Sequence, residues 1–208
     1  MGEHGAGCPA DSAPCKIIVL NLQDLLTELT SGDDIRAEQA IPKIVEMGTA
    51  GLSALVDLTH SDVDDVRWWA VRALAASPHT RTENLLPLLS DSAPEVRAAT
   101  ALALSHHPHE QAIPALIQTL ADQDSLTAGL AGNALVKIGS PSVAGLLEVM
   151  KEASLRVRIL ALCSLVEIRD HRAIPVLMKS MSEDSAVLQY WAQEGLERLG
   201  LDMVYIKP

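Results

Sequence analysis

The sequence predicts an all-α fold, a solenoid of six two-helix repeats forming a short right-handed arc. Three columns of equivalent residues carry that prediction. Leu26, Val56, Leu86, Ile117, Leu147 and Met178 recur in steps of 30, 30, 31, 30 and 31. Ala40, Ala70, Thr100, Ala131, Ala161 and Ala192 keep the same steps in the same order. So do Ile44, Leu74, Leu104, Leu135, Leu165 and Leu196. Three independent columns with one irregular rhythm identify a repeat array. A solenoid grows by stacking and needs no central core, so residues 17–208 are read as one array.

Residues 1–16 are rich in Gly, Ala, Pro and Cys without periodicity and read as a flexible leader. Ile17 to Leu20 is a short apolar run suited to cover the exposed end of the first repeat. Each repeat then holds an A helix, a short turn and a B helix. The A helices show apolar residues at helical spacing, as in Leu85, Leu86, Leu88 and Leu89, or Ile113, Leu116, Ile117 and Leu120. Pro114 and Pro175 fall near A-helix starts, where a missing N–H costs little. Five residues after the first column come Ser31, Ser61, Asp91, Asp122, Glu152 and Glu183, which are expected to cap the B helices. The B helices are expected to begin ten residues after that column, with Val66-Arg67, Val96-Arg97 and Val157-Arg158. Gly48, Gly139 and Gly200 sit where C-terminal caps belong.

Composition narrows the function. Hydrophobic residues make up 48% of the chain while aromatics reach 2% and Phe is absent, so Leu and Ala do the packing. A net charge of −11 argues against a nucleic-acid surface, which needs clustered Lys and Arg, and suits a basic partner. No apolar run reaches the length of a membrane span, and Met1 to Cys15 lacks the pattern of a secretory signal. Gly2 is not followed by the Ser or Thr that myristoylation wants, since Ala6 stands there. Three cysteines give no disulfide framework. The expected setting is cytoplasmic, with no membrane, nucleic-acid or cofactor requirement.

The segments Val66-Arg67-Trp68-Trp69-Ala70-Val71-Arg72-Ala73-Leu74 and Ala112-Ile113-Pro114-Ala115-Leu116-Ile117 resemble HEAT repeats. Their subtype is similar to the short E-Z repeat of phycobilisome-lyase-like proteins, and the resemblance spans roughly residues 21 to 200. It implies the fold, whereas the family includes scaffolds, bilin lyase subunits, chaperone-like adaptors and a few enzymes. It also implies that the B-helix Arg pairs with acidic turn residues of a neighbouring repeat. Arg67, Arg97 and Arg158, with Asp91 and Asp122, would form such a structural ladder, whose position is lost at Ala37, Ala128 and Gln189.

Four of the five aromatic residues are Trp68, Trp69, Tyr190 and Trp191. Both pairs occupy B-helix positions that point away from the buried face. Leu102, Leu130, Ile159 and Leu160 hold such outward slots elsewhere, and Arg72 lies on the same side. One reading is a partner-binding groove on the concave B-helix face with aromatic anchors toward its two ends. The other packs one member of each pair between helices and uses Tyr190 and Trp191 to close the last repeat. The tail from Leu201 to Pro208 is a candidate cover for Trp191.

The remaining candidates favour plain readings. His106, His107 and His109, with His79 in the equivalent earlier loop, lack a carboxylate or Cys partner and read as solvated loop residues. His109-Glu110 is similar to the His-Glu motif of deoxyhypusine hydroxylase, an iron enzyme, but that enzyme needs several such pairs and this chain has one. Cys8 and Cys15 read as thiols of the leader, and Cys163 as a small buried hydrophobe. Gly129 and Gly132 mark either a close approach or a bend in repeat four. With no nucleophile-base pair, phosphate loop or multi-ligand metal motif, the sequence points to a non-enzymatic protein-interaction scaffold. The alternative, from the resemblance, is a bilin lyase subunit or phycobiliprotein chaperone.

Overall fold

The computed structural model describes residues 21–201. The expectations placed on residues 1–16, on Cys8 and Cys15, on Ile17 to Leu20 and on the tail beyond Leu201 lie outside that range. Twelve helices follow one another: α1 (Leu22–Leu29), α2 (Asp34–Glu46), α3 (Thr49–Leu58), α4 (Asp64–Ala76), α5 (Thr82–Leu85), α6 (Pro94–His106), α7 (Ile113–Thr119), α8 (Ser125–Ile138), α9 (Val143–Glu152), α10 (Leu155–Ile168), α11 (Ile174–Ser180) and α12 (Ala186–Arg198). Odd-numbered helices are the A helices and even-numbered ones the B helices of six repeats. Short 3₁₀ turns lead into α7, α9 and α11. In the third repeat Pro87 sits at the start of a 3₁₀ stretch, Leu86–Ser90, which continues the single turn of α5.

Each A helix packs on its own B helix, and every B helix packs on the next. The B helices touch one another far more extensively than the A helices do, so the B layer lies on the inside of the curve. The small-residue column explains this close approach. Ala40, Ala70, Thr100, Ala131, Ala161 and Ala192 are all at most 2% exposed. Thr100 satisfies its hydroxyl by donating to the Val96 carbonyl oxygen at 2.7 Å. The Ile44-to-Leu196 column is likewise sealed, and burying each such side chain contributes about 1.5–3 kcal/mol.

The first repeat column holds its register but is not the fully buried one. Leu26 and its equivalents are only half-buried, and Met178 is exposed. The fully buried A-helix column is its neighbour: Leu25, Leu55, Leu85, Leu116, Leu146 and Leu177, leucine in every repeat. Glycine also marks contacts. A side chain on Gly195 would meet Val166 and Leu177 at 2.8–2.9 Å, and one on Gly132 would meet Ser164 Oγ at 3.1 Å. In repeat four, therefore, a neighbouring helix approaches at Gly132, while Gly129 faces open space.

The turn column needs a second correction. The B helices begin two residues earlier than expected, at Asp64, Pro94 and Leu155. Ser31, Ser61, Asp91 and Asp122 do not cap them. Each instead accepts the N–H two residues onward, at 3.3, 3.2, 2.8 and 2.8 Å. The side-chain caps are Asp33, Asp124 and Ser185. Gly139 and Gly200 end α8 and α12 with φ of +80° and +78°, and Arg169 takes the same register after α10 at +56°.

Freed from capping, the turn acids hold the array together. Arg67 Nε and Nη2 donate to the two Asp91 oxygens, both at 2.7 Å, and Nη1 donates to the Ser61 carbonyl oxygen. Arg97 grips Asp122 in the same way at 2.7 and 2.9 Å and reaches the Asp91 carbonyl oxygen. Arg158 pairs with Glu183. The Arg67 guanidinium, opposed by burial and helped by the Ala93 N–H, holds Asp91 below the usual aspartate range. Arg97 does the same to Asp122. Among the described residues no single helix is long and apolar enough to cross a membrane.

Arg97→Ala is expected to destabilise the array by about 1.5–3 kcal/mol, since a part-buried charged network is broken. Arg72→Ala, whose pairing with Glu38 is exposed, is expected to stay within about 0.5 kcal/mol. Urea denaturation checks both. The carboxyls of Asp91 and Asp122 are depressed in the folded state, so their contribution is complete above the ordinary aspartate value of about 4 and is lost as pH falls through the folded values. The melting-temperature gap between wild type and Arg97→Ala should therefore narrow in acid.

Candidate functional site

The exposed face of the B layer is built from the first turns of α2, α4 and α6. Asp34, Asp64 with Asp65, and Glu95 sit in those turns, where an acidic side chain suits the positive end of the helix. Val63 and Ala93, the residues before α4 and α6, give no side-chain cap. One helical turn on, Glu38 and Trp68 occupy equivalent positions. Together these residues border an open cavity of about 480 Å³ lined by Asp34, Glu38, Asp64, Asp65, Trp68, Trp69, Glu95 and Val96. Five carboxylates and two indoles thus meet across three repeats, with no basic residue in the lining.

The structure splits each aromatic pair. Trp69 is 4% exposed and belongs to the core, whereas Trp68 is half-buried against it. Their rings meet edge to face at 4.9 Å and 89°. At the other end Tyr190 is 62% exposed and Trp191 half-buried, with rings 5.5 Å apart at 77°. Trp69 thus lies in the core, Trp68 and Trp191 are half-buried against it, and only Tyr190 of the four is exposed.

The apolar strip is differently composed from the sequence expectation. Leu102 is exposed, but Leu130, Ile159 and Leu160 are half-buried and packed against the core. Arg72 is exposed beside Glu38, with Nε 3.2 Å from a carboxylate oxygen. The large exposed apolar residues on the B helices are instead Ile35, Leu126, Leu155 and Val187, together with Leu102 and Tyr190. Most of these lie in first turns, and the repeat register exposes their pattern. The column Ile35, Asp65, Glu95, Leu126, Arg156, Val187 is acidic in repeats two and three and turns apolar or basic later. Reading that column for sign, rather than for hydrophobicity, would have found the cavity.

The histidines serve the loops. His107 Nε2 lies 3.0 Å from the Ala75 carbonyl oxygen of the preceding repeat. His109 Nδ1 accepts the Gln111 N–H at 3.2 Å, capping a 3₁₀ turn. His79 and His106 are exposed. Among the described residues no group of three or more His, Cys, Asp or Glu is placed to hold a metal ion. Cys163 is half-buried, and burial pushes its thiol up to about 11, so it is not a thiolate near neutral pH.

Family models match the middle and later repeats. Residues 82–154 match HEAT repeats, and residues 157–183 match the PBS lyase HEAT-like repeat. These are HEAT repeats. Comparison with curated protein sequences returns no match. Among solved structures, the HEAT array is similar to the complex of CpcE and CpcF of phycocyanin lyase from Nostoc sp. PCC7120. That match has a TM-score of 0.53 and 20% identity over 95% of this chain and 82% of the other. An archaeal HEAT-like repeats protein from Thermococcus onnurineus NA1 matches with a TM-score of 0.60 and 15% identity, covering 86% and 80%. A designed armadillo repeat protein in complex with the peptide (KR)4 matches with a TM-score of 0.50 and 19% identity, covering 86% and 100%. At these identities the likeness is one of fold.

The split of the aromatic pairs has measurable consequences. Trp69→Ala is expected to cost about 3–5 kcal/mol of stability, as for an emptied aromatic core site. Tyr190→Ala is expected to change stability by no more than about 0.5 kcal/mol. Thermal melting followed by circular dichroism distinguishes the two.

Proposed function

We infer that this HEAT array is a protein-interaction scaffold, which holds a partner protein against the exposed face of its B helices without performing chemistry. The observation that carries the reading is the chemical character of that face. Exposed apolar side chains at Leu102, Leu126, Val187 and Tyr190 follow an acidic, Trp-walled cavity along one layer of helices. Solvated helix surfaces ordinarily carry charge at such positions, and Trp and Tyr dominate the centres of interfaces. The groove proposed here comprises Trp68, Arg72, Leu102, Tyr190 and Trp191, with Trp69, Leu130, Ile159 and Leu160 supporting it from beneath. Arg67, Arg97 and Arg158, with Asp91 and Asp122, keep the repeats in register. The designed armadillo relative in complex with a Lys-Arg peptide lends this reading support by analogy.

Affinity purification from the native organism, followed by mass spectrometry, tests the reading. Wild-type protein should retain a partner that the Leu102→Ala/Tyr190→Ala double variant loses. Its affinity should fall by about 2 kcal/mol or more while its melting temperature holds. A partner set unchanged by that variant excludes this face.

A second reading is favoured by the PBS lyase repeat match and by the likeness to the phycocyanin lyase complex over 95% of the chain. In it the protein is a bilin lyase subunit or a chaperone for a phycobiliprotein. Incubation with a phycobiliprotein and free bilin discriminates the two. Chromophore transfer or removal, seen as a change in visible absorbance, would replace the pure-scaffold reading.

A further inference from the structure

We propose that the cavity against Trp68 and Trp69 receives an arginine or lysine side chain from an extended segment of the partner protein. This deepens the reading of the B-helix face as a partner-binding surface and rests on it. Three independent features of the cavity converge on that ligand.

Charge comes first. Asp34, Asp64, Asp65 and Glu95 line the cavity, and among the described residues none of them forms an ion pair. Acidic residues at helix starts are explained one helix at a time by the helix dipole. The dipole does not explain why the Asp65–Glu95 column reads Leu126, Arg156 and Val187 in the last three repeats, whose helices have the same dipole. The acid is concentrated where the cavity is. Such a rim repels phosphate and carboxylate ligands and attracts cations.

The second feature is Trp68. Its half-buried indole borders the same space as the carboxylates. A guanidinium is flat and weakly hydrated, so it stacks on an aromatic face while its N–H groups reach carboxylates at the edge. A lysine ammonium meets the same groups as a point charge.

The third is the Trp69 indole N–H, which can only donate. The residue is 4% exposed, and no hydrogen bond engages this N–H among the described residues. Trp69 is one of the residues that line the cavity, where an acceptor can enter. A bare polyamine or metal cation supplies no acceptor, whereas a peptide brings a main-chain carbonyl beside its cationic side chain. The cavity volume of about 480 Å³ lies within the range of ligand sites.

The test uses the full chain and a fluorescein-labelled octapeptide of alternating arginine and serine, read by fluorescence anisotropy. The wild-type protein should bind it, and added salt should weaken the binding. The Asp64→Asn/Asp65→Asn variant and Trp68→Ala should each weaken it about tenfold or more. Glu148→Gln, an exposed acid on an A helix, should leave it unchanged. Trp69→Phe, checked first for an unaltered melt, should weaken binding by removing the N–H. Absence of binding, equal affinity in all variants, or displacement by spermine as effective as by unlabelled peptide would each overturn the proposal. If these fail while Leu102→Ala/Tyr190→Ala still loses the native partner, the cationic pocket falls and the scaffold reading stands. If both fail, the B-helix face is not the binding surface.

Discussion

Everything in this molecule depends on how closely one B helix can lie against the next. No repeat has enough apolar surface to form a core alone, so each must bury its face on its neighbours. The Ala40-to-Ala192 column sets the approach by keeping side chains small where helices meet, and Gly132 and Gly195 tighten it further. The leucine column on the A helices fills the wider space on the other side. A larger residue in the small column would push two repeats apart and open every contact beyond them. The spacing of the residues along the exposed B-helix face follows from that one distance.

The architecture was legible because a repeat places six residues in one environment and so displays the same requirement six times. Ambiguity entered where the local pattern lacked phase. Leu85, Leu86, Leu88 and Leu89 are all apolar, and spacing alone does not say which of Leu85 or Leu86 turns fully inward. The B-helix starts were placed two residues late because their first turns are charged and show no apolar periodicity. That displacement also made Asp91 and Asp122 look like caps, when their oxygens bind an arginine and a turn N–H. The aromatic pairs were found from composition, but not which member faces out, since adjacent positions on a helix differ by about 100°. The cavity is not legible in any one stretch of sequence because its carboxylates come from three separate repeats.

The exposed B-helix face is chemically polarised along the array. Its first half presents Asp34, Asp64, Asp65 and Glu95 around an indole, with Ile35 beside them, and its second half presents Leu126, Leu155, Arg156, Val187 and Tyr190. Under the scaffold reading proposed above, a partner matched to both halves would carry a basic stretch at one end and an apolar one at the other. Reversing its direction would set basic groups on Leu126 and Val187 and apolar ones on carboxylates. On that proposal, the polarity would favour one orientation of the partner.

The arginine pairs are not evenly distributed, and their gaps divide the array. Buried pairs cross the junctions between repeats two and three, three and four, and five and six. The corresponding positions are Ala37 and Ser61 at the first junction, and Ala128 and Glu152 at the fourth. At the latter, Arg156 instead reaches back to the Asp122 carbonyl oxygen from an exposed position. In a nearest-neighbour chain, cooperativity breaks at its weakest couplings. The first and fourth junctions thus lack the part-buried guanidinium–carboxylate tie that the other three share. The acidic cavity spans the first of those boundaries, so a cation bridging Asp34 to Asp64 would supply from outside the tie that Ala37 does not provide.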